Sequence, residues 1–471
     1  MSSTSPQHIH LLGICGTGMA ALAGILKEQG YQVSGSDEHP YPPMSTFLEN
    51  LQIPVRAGYG PENLHPQPDL AVIGNVIRAE NPEAQAVLAQ GIPHLSMPAA
   101  LNHFLVRDRQ ALVVSGTHGK TTTASLLAWL LYAAGQDPGF MIGGIVQNFQ
   151  SNYRVGQGPF VVLEGDEYDT AFFDKRPKFL LFQPRLAILT SIEFDHADIY
   201  DDLEQVTKAF QTLVTQMPTA SELVAWGDAP LVRSVSSLSP VPVWFYGLDS
   251  QAVWQARDLQ PRGVGMGFSV YRGGKFWESF YAPLAGRHNV LNVLAVLASL
   301  SLLGIDRQIL KAALPEFAGV KRRLEVVGEF GGITVVDDFA HHPTAVAETL
   351  RAAQGRFPGR RLLIAFEPRT NTSRRKIFQQ DYVRAFKEAD MVLVREPPDL
   401  WKVPEDDQFS SAQLAADLEA QGQRARYFPE TDSLLEGLLE EAASGDVILV
   451  MSNGSFDNLI PRLIQSLTRE E

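Results

Sequence analysis

The run Ser115-Gly116-Thr117-His118-Gly119-Lys120-Thr121-Thr122-Thr123 follows the apolar stretch Ala111-Leu-Val-Val and opens a helical pattern, Ala124 to Leu131. Glycines let backbone N–H groups crowd a phosphate, and a helix N-terminus adds partial positive charge. Lys120 can neutralise β- and γ-phosphates, and the Thr121 hydroxyl can ligate Mg2+. Gly116, Thr117, Gly119 and Thr122 complete such a cradle. Val114 occupies the first glycine position of the usual G-x-x-x-x-G-K-[ST] pattern, leaving a shorter form, G-T-x-G-K-T-T. A turn that merely needs glycines is the bland alternative. The pattern points to ATP.

Three further clusters could carry chemistry. Gly16-Thr17-Gly18-Met-Ala-Ala21 fits the dinucleotide fingerprint, and Asp37 follows about 20 residues on, where a ribose-binding acid is expected. NAD or the diphosphate of a nucleotide sugar would suit that turn. Glu164-Gly-Asp-Glu-Tyr-Asp169 leaves the apolar run Phe160–Leu163, so Glu164 is placed to hold Mg2+ near a γ-phosphate. The later acids of that cluster read as a solvated turn. Glu193-Phe-Asp-His196-Ala-Asp198 ends another apolar run. His196 could ligate a second Mg2+, or cap or pack as an ordinary histidine.

Polar groups also cluster further along. Asn289 and Asn292, in Gly286-Arg-His-Asn-Val-Leu-Asn292, share one helix face and could cap the helix or bind a nucleotide. Asp338, in Asp337-Asp-Phe-Ala-His-His342, reads as a ribose ligand or an aid to closure over ATP. The adjacent His341 and His342 should point in different directions.

Parallel strands are needed to present these groups. Strand-like runs at 8–12, 32–36 and 70–74 alternate with helical patterns, predicting a parallel α/β sheet that ends near Arg107-Asp-Arg109. A second segment carries the phosphate loop and the strands Phe160–Glu164 and Leu186–Ile192. Between about Leu223 and Phe280 the pattern suggests short antiparallel strands, and a helix from Asn289 to Leu303 follows. A third open α/β segment begins near Lys321, with strands at 333–337, 361–366, 391–394 and 446–451, helices at 344–354 and 411–421, and a surface loop at 397–409.

The whole chain agrees with that division. Its 471 residues suggest roughly three domains. Hydrophobic content of 45% suits large buried cores. A formal charge of −14 argues against a nucleic-acid or anionic-membrane binder. Cys15 is the single cysteine, so an intrachain disulfide or a cysteine zinc cluster is ruled out; within a Gly-rich turn it reads as a packing residue. The polar start, Met1 to Gln7, lacks signal-peptide character, and apolar runs fall short of a bilayer span. A cytoplasmic enzyme without integral membrane association is expected.

In their order along the chain, the N-terminal turn, GTHGKTT, EGDEYD, EFDHAD, GRHNVLN, RRLE and DDFAHHPT resemble the Mur ligases, the ATP-dependent amide-forming enzymes of peptidoglycan assembly. The resemblance covers essentially the whole chain. It implies a Rossmann-like domain at 1–108 for UDP-N-acetylmuramate, a central P-loop ATPase domain at 109–321, and a C-terminal open α/β domain at 322–471 for ATP and peptide. The stretches Tyr41–Thr46, Ile73-Gly-Asn75, Asp166–Arg176, Glu193–Ile199 and Glu367-Pro-Arg-Thr-Asn-Thr372 are most similar to the branch that recycles the murein tripeptide L-alanyl-γ-D-glutamyl-meso-diaminopimelate.

Residue by residue, the resemblance implies that Lys120 holds the γ-phosphate, Thr121 and Glu164 bind one Mg2+, and His196 helps bind another. Asn289, Asn292, Arg323 and Asp338 would face ATP, and His118 the muramyl carboxylate. Gly16, Thr17, Gly18, Asp37 and Asn75 would serve UDP-N-acetylmuramate. Arg369 and Asn371 are peptide-contact candidates, or a pair that stabilises their loop. Gly165 replaces a more usual alanine, and Ser455–Asn458 replaces a glycine-richer turn. Free L-alanine as the amine substrate, an NAD-dependent oxidoreductase suggested by the first glycine turn, and a non-catalytic ATP sensor are the competing readings.

Overall fold

The computed structural model describes residues 7–249 and 251–468, so all of the polar start Met1–Gln7 but its last residue lies outside them. The chain forms two compact units. One comprises 1–193, 204–255 and 294–313, and the other 194–203, 256–293 and 314–471.

The first unit holds two large sheets beside the small antiparallel pair Asp169–Ala171 and Asp174–Pro177. Five parallel strands run in the order Val55–Ala57, Gln32–Asp37, His8–Leu12, Leu70–Ile73 and His94–Ser96. Strand direction of travel reverses beside His8–Leu12, so the loops after that strand and after Leu70–Ile73 flank the crevice where ligands bind in such sheets. Those loops carry Gly16–Gly18 and Asn75.

The second sheet centres on Gln110–Ser115, paired in parallel with Phe160–Gly165 on one side and Pro184–Leu189 on the other. All three strands bury apolar side chains on both faces, as parallel strands covered by helices must. The helix Thr17–Glu28 belongs to the same core as Val113, Val161 and Leu163. Its Gly24 leaves room for the Tyr153 ring, which a Cβ would approach to 2.5 Å.

Between 223 and 247 the structure corrects the expected antiparallel patch. Glu222–Trp226 and Val243–Gly247 are parallel, joined by a crossover containing the helix Pro230–Ser236. Antiparallel pairing is seen in the hairpin Gly265–Arg272 and Lys275–Ala282 of the second unit. Alternating polarity marked the strands, but the short intervening helix set their direction.

In the second unit a six-stranded sheet follows the order Glu325–Phe330, Ile333–Asp338, Val447–Met451, Leu362–Phe366, Met391–Arg395 and Arg424–Phe428. Its first pair is antiparallel and the other pairs are parallel. The four anticipated strands are present. The helices Pro343–Arg356 and Ser411–Ala420 cover one face. Among the described residues no helix is long and apolar enough to cross a membrane.

One buried carboxylate ties the first sheet together. Glu83 is fully buried and accepts hydrogen bonds from His10 Nε2 at 2.8 Å, Ser36 Oγ at 2.7 Å, Asn63 Nδ2 at 2.7 Å and the Gly60 amide at 3.1 Å. Burial alone would raise its pKa, but His10, Asn63 and Ser36 hold it below the usual glutamate value. Its contribution to stability is therefore complete above the unfolded value of about 4.3 and lost as pH falls through the lower folded value. Glu83→Leu strands four donors and should cost about 3–5 kcal/mol. Urea unfolding at pH 7 checks this; a loss under 1 kcal/mol would refute it.

Candidate active site

Within the first unit, Gly116 adopts φ +131°, and a Cβ there would stand 2.2 Å from Thr190 Oγ1. Only glycine fits so close an approach. The loop is pinned to the end of the neighbouring strand: the Thr117 amide donates to Ser191 O at 2.9 Å, and the His118 amide to Ser191 Oγ at 2.9 Å. Thr190 Oγ1 donates to His118 O at 2.6 Å, and the Glu193 amide donates to Thr117 Oγ1 at 2.9 Å. Gly119, at φ +80°, then opens the helix Lys120–Ala133 without a capping side chain. The amides at this N-terminus are available to an anion.

Lys120 Nζ lies 2.8 Å from Glu167 Oε2 and 3.1 Å from Oε1. Burial works against its charge, but Glu167, Asp166 and Glu164 outweigh that effect and raise its pKa. Glu167 is 1% exposed, so it is no solvated acid. Sequence reasoning missed it as a site residue, because a tight acidic turn does not reveal which carboxylate folds inward.

Thr121 and Glu164 come together as anticipated. The Thr121 hydroxyl donates to Glu164 Oε1 at 3.0 Å, while Glu164 Oε2 accepts from the Gly143 amide at 2.8 Å. A hydroxyl and a carboxylate are the oxygen ligands that Mg2+ prefers, so this pair fits the ion. Thr122 is buried in the first turn of the helix. His118 Nε2 stands 3.4 Å from Glu193 Oε2.

A cavity of about 260 Å3 is lined from the two large sheets of this unit and from Thr170 of the small one. Gly16, Thr17, Gly18, Asn75, Glu164 and Lys178 are among the residues lining it. Gly16 precedes the helix Thr17–Glu28 without a capping side chain, a second N-terminus able to receive phosphate. Asp37 turns toward the backbone: its Oδ2 accepts from the Cys15 amide at 2.9 Å and braces the turn. Burial, then Asp37, pushes the Cys15 thiol up to about 11, which suits a packing residue.

The remaining candidates belong to the second unit. His196 sits at φ +58°. Its neighbour Asp195 is 6% exposed, and although burial would raise its pKa, His196, His341 and His342 draw it far below the usual range. His342 caps the helix Pro343–Arg356 through Nδ1, whereas His341 Nε2 approaches Asp195 at 4.0 Å. The two rings do take different tasks.

Asn292 Nδ2 donates to Asn289 Oδ1 at 3.2 Å, so these residues share a face. Asp338 is 4% exposed, with its oxygens accepting from the Leu324 amide at 2.6 Å and the Ala340 amide at 2.8 Å. Burial raises its pKa against the pull of Arg323, whose guanidinium lies 4.7 Å from the Phe339 ring centroid. Arg369 is partly exposed beside Gly454, and Asn371 is exposed.

This arrangement has relatives along its whole length. Residues 8–109 match the model described as "Mur ligase family, catalytic domain", 114–300 the "Mur ligase middle domain", and 322–454 the "Mur ligase, glutamate ligase domain". The chain is 40% identical, over 98% of its length and 99% of the relative's, to the UDP-N-acetylmuramate–L-alanyl-γ-D-glutamyl-meso-2,6-diaminoheptandioate ligase of Escherichia coli. The chain belongs to the Mur ligase family.

As a Mur ligase it is an ATP-dependent enzyme that forms amide bonds, with the family's three-domain α/β architecture. The crystal structure of a murein peptide ligase from Psychrobacter arcticus is 33% identical, with a TM-score of 0.73 over 98% of this chain and 99% of that one. The UDP-N-acetylmuramate–alanine ligase of Thermotoga maritima is 25% identical with a TM-score of 0.82, over 99% of this chain and 100% of that one.

Gly116→Ala tests the phosphate loop. The forced shift of the loop away from Thr190 should lower kcat/KM for ATP roughly hundredfold. Steady-state kinetics with varied ATP reads this, and a loss under threefold would show that the loop tolerates the side chain.

Proposed function

We propose that this Mur ligase joins UDP-N-acetylmuramate to the amine of L-alanyl-γ-D-glutamyl-meso-diaminopimelate, returning murein tripeptide to cell-wall synthesis in the cytoplasm. The supporting observation is 40% identity, end to end, with a ligase of that specificity. The Thermotoga backbone is the better match by TM-score, yet its lower identity leaves L-alanine as the second reading. The three domains are taken as 1–108, 109–321 and 322–471.

A carboxylate is a poor electrophile, so the muramyl carboxylate first takes the γ-phosphoryl group of ATP, giving an acyl phosphate. The peptide's free amine attacks that carbonyl, and the tetrahedral intermediate expels phosphate. Lys120 shifts from Glu167 to the γ-phosphate, and the amides at the N-terminus of Lys120–Ala133 hold the phosphate chain. Mg2+, held by Thr121 and Glu164 with His196 serving a second ion, would neutralise charge on the transferring group.

UDP-N-acetylmuramate is assigned to the cavity lined by Gly16–Gly18 and Asn75, with Asp37 bracing the turn and His118 toward the muramyl carboxylate. Asn289, Asn292, Arg323 and Asp338 are assigned to ATP as well, following the family resemblance. Arg369 and Asn371 face the peptide.

Phosphate release from Mg-ATP and UDP-N-acetylmuramate, compared between tripeptide and free L-alanine, tests the assignment. The tripeptide should give the far higher kcat/KM, with UDP-muramyl tripeptide as product. Preference for L-alanine would move the enzyme to the biosynthetic branch. Lys120→Ala should abolish ligation while the protein remains folded, and a fully active variant would remove its role.

A further inference from the structure

A cavity of about 450 Å3 is lined wholly by residues of the second unit. Its walls come from three places. Pro261 and Met266 flank the turn that enters the strand Gly265–Arg272, Arg287 begins the helix Arg287–Leu302, and Glu348, Arg351 and Arg356 belong to the helix Pro343–Arg356. Asn289, Asn292, Arg323 and Asp338, the residues assigned to ATP, are not among its walls. Gly286 sets the junction. It sits at φ +94°, and a Cβ there would stand 2.7 Å from Ala352 Cβ, so glycine is what lets the two helices meet this closely.

The charges around the cavity do not cancel. Arg351 Nη1 donates to Glu348 Oε1, and His288 Nδ1 stands 3.6 Å from the other oxygen of that carboxylate. His288, helped by Arg351, holds Glu348 below the usual glutamate value against the effect of burial. Arg351 and Glu348 therefore offset each other.

Arg287 and Arg356 have no such partner. Arg287 is exposed at the rim and forms no ion pair among the described residues. Arg356 is half-buried, and its Nη1 donates to Leu324 O at 2.7 Å. Its Nε is buried with no hydrogen-bond partner among the described residues. Withdrawing a guanidinium from water without a counter-charge is costly. Two positive charges stay open beside the apolar surface of Pro261 and Met266.

We propose that this cavity binds a phosphate monoester, with its dianion held by Arg287 and Arg356 and its organic body packed on Pro261 and Met266. Charge and size select that class. A phosphate monoester carries about −1.5 to −2 charges at pH 7, which matches two open guanidiniums. Guanidinium forks fit phosphoryl oxygens in geometry as well as charge. The volume falls within the range of about 300–1,000 Å3 common to small-molecule sites. This site is separate from the phosphate loop, where Lys120 and helix amides face the anion.

Isothermal titration calorimetry of the full chain with phenyl phosphate, phenyl sulfate and inorganic phosphate tests the assignment. Phenyl phosphate should bind saturably and most tightly, because phenyl sulfate carries a single charge and inorganic phosphate lacks the apolar body. Arg356→Gln and Arg287→Gln should each weaken phenyl phosphate at least about tenfold. Lys120→Ala and saturating Mg-ATP should leave its affinity unmoved. No binding by the wild type, or wild-type affinity in the folded arginine variants, overturns the proposal. Loss of binding in Lys120→Ala, or displacement by Mg-ATP, would put the probe in the nucleotide site and overturn it too. Equal affinity for phenyl sulfate refutes the dianion, and equal affinity for inorganic phosphate refutes the apolar contact. If Arg356→Gln fails to fold, Arg287→Gln, on the exposed rim, decides alone.

Discussion

Everything in the ATP-binding half depends on how closely the phosphate loop lies against the neighbouring strand. Thr190 and Ser191 occupy the space that a side chain at 116 would take, and they supply the hydrogen bonds that fix Thr117 and His118. With the loop immobilised, the helix Lys120–Ala133 starts at one defined point, and Thr121 reaches Glu164 across the sheet. The strand order makes this possible: Gln110–Ser115 lies between the strands that supply Glu164 and Ser191, so both partners arrive at the same edge. Preorganisation here is a property of backbone packing, and it precedes any ligand.

The second unit uses the same device with different charges. Its parallel strands also converge on one edge, but what they present there is predominantly guanidinium. The first edge presents backbone amides and a lysine, the second arginine guanidiniums.

Much of this was legible in the residues. Continuous apolar runs such as Leu362–Phe366 and Val447–Met451 marked the buried parallel strands, and glycines ahead of Lys120 marked the loop. The pairing of Thr121 with Glu164 followed from placing a carboxylate at a strand end. Less visible was the direction of side chains within polar turns. That Asp37 and Asp338 accept from backbone amides is one such case, since their positions in sequence point only to ligands. Glu167 looks solvated, yet it is buried against Lys120. Those outcomes depend on tertiary enclosure, which local spacing does not encode. The parallel course of Glu222–Trp226 and Val243–Gly247 escaped for a similar reason, since strand direction is set by the crossover between them.

The contact between Lys120 and Glu167 has a consequence for selectivity. A lysine already neutralised by a buried carboxylate is not an open trap for passing anions, because any newcomer must displace an internal counter-ion. A singly charged species gains little from that exchange. An anion that meets the helix amides as well as the lysine gains more from the exchange, so the pair raises the threshold for singly charged species above that for multiply charged ones.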